Sequence, residues 1–109
     1  MVDGTIIAAD KILRELFKLR SLKINKIVFY GSQTEKNADD ESDLDVLVVS
    51  EDFEDKDIFS RIDITAGIHR RLVEQLLMPV DIMYFSLSEW NEEKSLIISA
   101  AKEQGMSVQ

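Results

Sequence analysis

Asp43-Leu44-Asp45-Val46-Leu47-Val48-Val49-Ser50 is the stretch on which the reading of this chain turns. The run from Leu44 is apolar and β-prone, so it predicts a strand whose entrance carries two carboxylates. Side chains alternate across a strand, which puts Asp43 and Asp45 on one face, roughly 7 Å apart at Cα. Two carboxylates at that spacing can converge on one cation, or share two cations about 4 Å apart.

Upstream, Ile24-Asn25-Lys26-Ile27-Val28-Phe29-Tyr30 is another apolar, β-prone run, broken sharply by Gly31-Ser32. Ten residues, Gln33 to Ser42, separate that pair from Asp43. A small, sharp turn exposes backbone N–H groups that hold phosphate. Glycine permits close backbone approach, and the short Ser32 hydroxyl can bond a terminal phosphate oxygen. Downstream, Pro79-Val80-Asp81-Ile82-Met83-Tyr84-Phe85 predicts a third strand. A carboxylate entering a buried strand costs several kcal/mol unless it is paired or coordinates a metal, so Asp81 joins the candidate set. The intervening segment reads as one helix, which makes a β-α-β unit with parallel strands. Parallel neighbours bring Asp43, Asp45 and Asp81 to one sheet edge, and an antiparallel first strand delivers Gly31-Ser32 there too.

The remaining periodicity is helical. Ile6, Ala9, Ile12, Leu13, Leu16, Phe17 and Leu19 predict an amphipathic helix from Thr5 to about Leu22. Asp57 is the expected cap of a helix reaching about Leu77, with Gly67 a weak point inside it. Pro79 ends it. Ser88 is the expected cap of a last helix that closes on Gly105.

Asp39-Asp40-Glu41 invites a calcium-loop reading that fails on spacing: counted from Asp39, position 6 is Leu44 and position 12 is Ser50. That leaves a solvated loop. The single histidine, His69, reads as a surface or packing residue, and Trp90 with Tyr84-Phe85 as core or partner-facing. No Gly-Lys-Ser/Thr phosphate loop is present, which removes Walker-type ATPases.

At 109 residues the chain suits one domain, residues 1–109. Its 21 acidic residues against 13 basic ones give a net charge of −8. That argues against direct nucleic-acid binding, which needs a basic surface to neutralise phosphates. The absence of cysteine excludes disulfides and thiolate zinc sites. With no long apolar run and no leader pattern, no membrane partner is expected, and the cytoplasm is the expected compartment.

Gly31-Ser32, ten residues, Asp43-x-Asp45 and a strand-borne Asp81 together resemble the nucleotidyltransferase superfamily related to DNA polymerase β. Within it, the chain is similar to the minimal nucleotidyltransferase (MNT) domains, which are about this size. The resemblance implies an α/β (α+β) fold: a mixed sheet with helices packed against it, as in the polymerase β palm. It implies transfer of a nucleoside monophosphate, AMP from ATP or the equivalent from another NTP, to an acceptor hydroxyl. Asp43, Asp45 and Asp81 would be the catalytic, metal-binding residues for two Mg²⁺ ions, and Gly31 and Ser32 would hold the nucleotide. Such domains commonly act beside a separate all-helical HEPN protein, as the antitoxin that adenylylates it. Two alternatives stand: an inactive module acting by binding its partner, and small-molecule nucleotidylation with a separate substrate-binding subunit. Where relatives carry a basic residue and a later glycine after Gly-Ser, this chain has Gln33-Thr34-Glu35-Lys36, which bears on triphosphate affinity. The base, the acceptor and the oligomeric state, monomer or homo-oligomer, stay open at this level.

Overall fold

The computed structural model of the chain describes residues 4–30 and 43–108. Among the described residues the sheet has three strands: β1 (Lys26–Tyr30), β2 (Leu44–Val49) and β3 (Val80–Phe85), in the order β1-β2-β3. β1 runs antiparallel to β2, and β3 runs parallel to it, the directions expected from the sequence. The central strand is buried on both faces, which is why its residues are almost uniformly apolar. Leu44, Val46 and Val48 pack into a core formed with α1 (Gly4–Leu19) and α3 (Ile68–Leu76). Leu47 and Val49 pack on the opposite face against Trp90, Ile98 and Ala101 of α4 (Leu87–Glu92) and α5 (Leu96–Gln104). Trp90 is therefore a core residue, with the ammonium groups of Lys26 and Lys102 standing 5.7 and 5.0 Å from its ring centroid.

The helices are shorter and more numerous than periodicity suggested. α1 stops at Leu19 rather than Leu22 because Ser21 takes φ 57° and the chain closes backward. The Leu22 N–H bonds to the Phe17 carbonyl at 2.9 Å and the Ser21 N–H to Lys18 at 3.0 Å, a Schellman-type end built without glycine.

The segment expected as one long helix is two: α2 (Ile58–Ile64) and α3. Asp57 caps α2 as expected, its carboxylate accepting from the Ser60 N–H at 2.8 Å. The break lies at Thr65-Ala66-Gly67, where Gly67 takes φ 87°. The Arg20 guanidinium, reaching across from the end of α1, donates to the Ile64 and Ala66 carbonyls that the break would otherwise strand.

The last helix also divides, at Glu93 (φ 52°). Its first half is capped by Ser86, not Ser88: the Ser86 Oγ accepts from the Glu89 N–H at 3.2 Å, and Glu89 Oε1 accepts from the Ser86 N–H at 2.8 Å. That reciprocal pair is a capping box at the proper three-residue spacing. The Ser88 N–H instead donates to Glu54. Ser95 caps α5, its hydroxyl accepting from the Ile98 N–H at 3.2 Å.

Gly105 does follow α5, but in extended backbone rather than a left-handed turn. A glycine is needed there because a Cβ would collide with Val28 Cγ1 and the Ala101 carbonyl oxygen. The chain then pairs Met106 with Phe29 on the outer edge of β1. No described helix is long and apolar enough to cross a membrane.

Candidate functional site

Register builds the site. Asp45 on β2 lies directly opposite Tyr30 on β1 and directly opposite Asp81 on β3. The three form one row across the sheet, and in-register neighbours project from the same face. Asp43 stands two residues before Asp45, on that face and at the rim. The face is the one that packs on α4 and α5, since Leu47 and Val49 follow Asp45 at even spacing. The row occupies the sheet edge where β1 ends and β2 and β3 begin, which is where the sequence argument put it. Gly31 and Ser32, expected to complete the site, lie outside the described residues.

Burial differs along the row. Asp43 and Asp81 are exposed and Asp45 is half-buried. The expected desolvation cost at Asp81 is therefore absent. β3 is an edge strand with only Val80 fully buried, so a carboxylate at its second position remains in water.

Asp45 is the strained member. Its carboxyl is held above the usual carboxylate range, first by burial, then by the charges of Asp81 and Asp43. A side-chain hydrogen bond with Asp81 adds to the rise at Asp45. The same surroundings act on Tyr30, whose phenol is pushed up by burial and then by Asp45 and Asp81. Tyr30 is the neighbour that sequence reasoning missed. Its signal was its position as last residue of an antiparallel strand, but reading it requires the register.

These carboxylates are hard oxygen donors whose mutual repulsion a divalent cation relieves, so the donor set suits Mg²⁺ chemically. It is an open set: among the described residues, no group of three or more His, Cys, Asp or Glu is gathered tightly enough to form a ready-made cage. His69 takes no part in it. The ring Nε2 of His69 bonds to the Val80 carbonyl, a packing role.

A family model described as nucleotidyltransferase domain matches residues 9–104, nearly the whole chain. The chain belongs to that family, and its reaction class is nucleotidyl transfer. Among solved structures it is similar to a candidate nucleotidyltransferase from Sulfolobus solfataricus, with TM-score 0.50 and 17% identity over 84% of this chain and 82% of that one. It is also similar to BolA1 from Arabidopsis thaliana, with TM-score 0.53 and 20% identity over 81% of this chain and 98% of that one. At such identities these likenesses concern the fold alone. No curated protein matches the chain.

Proposed function

We propose that the chain is a Mg²⁺-dependent nucleotidyltransferase that moves AMP from ATP to a hydroxyl on a separate, all-helical HEPN protein, breaking the α–β phosphoanhydride bond and releasing pyrophosphate, and so silences it as an antitoxin. The observation that carries this reading is the register of Asp45 with Asp81, with Asp43 on the same face, in a chain of the nucleotidyltransferase family. Asp43 and Asp45 would hold two Mg²⁺ ions, and Asp81 the one nearer the acceptor. Bound there, the metal would neutralise charge on the attacking and leaving oxygens.

The chain's own groups do the positioning. Asp81, exposed at the rim, orients the acceptor hydroxyl and takes its proton. Asp45, half-buried between two other carboxylates, fixes the arrangement against the core. Gly31 and Ser32 hold the β- and γ-phosphates through backbone N–H groups and the Ser32 hydroxyl. Orientation and fixed charge supply nearly all the acceleration in such a site. A protein acceptor is favoured over nucleic acid by the net charge of −8, which repels a polyanion.

The test is label transfer. The chain is incubated with a cognate HEPN protein, Mg²⁺ and ATP labelled at the α-phosphate. Label should appear on the partner and vanish with the double substitution Asp43→Asn, Asp45→Asn. An unlabelled partner, under conditions where the two proteins bind, would sink the proposal.

A further inference from the structure

α2 covers no core. None of its residues is buried, and Ile58, Phe59 and Ile62 are 65%, 74% and 52% exposed. It stands beside the open edge of β3. Along that strand, the Pro79 and Phe85 carbonyls accept from the Leu44 and Ser50 N–H groups, each at 3.0 Å. Odd-numbered residues therefore turn their backbone groups to β2, and Val80, Ile82 and Tyr84 turn theirs outward. Two outward carbonyls are capped: Val80 by His69, and Tyr84 by Arg61 Nη1 at 3.1 Å. The backbone groups of Ile82 lie between those caps. On either side of it are cavities of about 380 and 390 Å³, which share Ile62, Ile82 and Tyr84 as lining. The first reaches Asp81 and the second ends at Phe85 and Glu89. One groove thus runs along β3 from the candidate carboxylates, with apolar residues of α2 as its outer lip.

We propose that this groove docks an extended segment of the acceptor protein, which lays apolar side chains over Ile62 and Ile58 and brings a hydroxyl, flanked by basic residues, to Asp81. From Asp81 to Phe85 a strand spans about 13 Å, so four or five extended residues fill it. Charge selects the occupant. The Asp81 end of the groove adjoins Asp45 and Asp43, while the Arg61 charge is already paired with Glu89 at 2.6 Å. A basic flank is complementary there. A second copy would bring another net charge of −8, and the two capped carbonyls interrupt any continuous edge-to-edge pairing. The inference rests on the acceptor being a protein, as proposed above.

The test uses the intact chain, free of metal and nucleotide, with two blocked hexapeptides: Lys-Arg-Thr-Val-Ile-Val and Glu-Asp-Thr-Val-Ile-Val. Backbone amide NMR should show saturable shifts with the basic peptide, confined to residues 58–62 and 80–85. Its affinity should exceed that of the acidic peptide about tenfold, a difference of about 1.4 kcal/mol. Ile62→Asp and, separately, Ile58→Ser, both at residues that line the groove, should each weaken binding at least about tenfold. Leu96→Asp, at a leucine 90% exposed on α5, should leave it unchanged. Four outcomes overturn the proposal: no saturable shift, shifts elsewhere, equal binding of the two peptides, or indifference to both groove substitutions. So does a peptide-free, concentration-dependent dimer that moves the same amides, because the groove then belongs to a second copy. Because no nucleotide is present, a failure of nucleotidyl transfer does not register in this measurement. Conversely, transfer to the HEPN protein with an unchanged KM in Ile62→Asp would retire the groove and leave the transfer reading standing.

Discussion

Asp45 is held where a carboxylate is least comfortable: half-buried, beside Asp81 and within reach of Asp43. Its raised pKa has a defined consequence for stability. Between its unfolded value and the higher folded value, the native state binds more protons than the unfolded state, so stability falls as pH rises through that window. At neutral pH the ionised cluster opposes folding. Asp45→Asn should therefore raise the melting temperature of the metal-free chain at pH 7, with the gain shrinking as pH falls toward about 4. Thermal melts across that range decide it, and a lower melting temperature for the variant at pH 7 would contradict the coupling. The same repulsion makes the site receptive to a cation. Millimolar Mg²⁺ should stabilise the natural chain by about 1 kcal/mol, about 4 °C, and leave the Asp45→Asn variant unmoved.

Two elements owe their boundaries to single residues. Gly67 permits the left-handed turn that separates α2 from α3, and an added Cβ would also stand 3.2 Å from Arg20 Nη2. Gly67→Ala should cost about 1 kcal/mol in urea denaturation, instead of gaining the helix propensity that an uninterrupted helix would predict. Glu89 does double duty, closing the capping box at Ser86 and pairing with Arg61 at 2.6 Å. Burial alone would push its pKa up. The Ser86 N–H and the Arg61 guanidinium outweigh that and hold it below the usual range. Its contribution is thus present above the unfolded pKa and lost as pH falls through the folded one. Glu89→Ala should cost about 2 kcal/mol at pH 7, with the difference from the natural chain narrowing in acid.

At the scale of the molecule, the sheet's two edges are treated differently. β1 is closed by the strand-like return of the chain: the Phe29 N–H donates to Met106 at 2.8 Å, and the Met106 N–H donates back at 2.7 Å. Gly105 makes that return fit against Val28. Gly105→Ala should cost about 1–3 kcal/mol by overpacking. It should also speed hydrogen exchange at the Phe29 amide, because the bridge and the glycine move together. Among the described residues β3 has no such cover along Ile82, only the caps from His69 and Arg61 at either side. That asymmetry leaves an open groove running up to the candidate carboxylates.

The order and direction of the strands were legible from Asp43 to Ser50 and from Pro79 to Phe85, because an apolar run with a polar entrance states both burial and which end faces water. The grouping of Asp43, Asp45 and Asp81 at one edge followed from a single rule, the short helical crossover between parallel strands. Helix ends were not legible to the same degree. The stops at Ser21, Gly67 and Glu93 depend on backbone turns, and at Gly67 on a distant side chain, Arg20, that satisfies stranded carbonyls. Only the tertiary structure set Tyr30 opposite Asp45 and left Asp81 in water on an edge strand. The physical reason is that residue type and spacing encode burial and direction along one segment, whereas register, edge position and electrostatic coupling belong to pairs of segments.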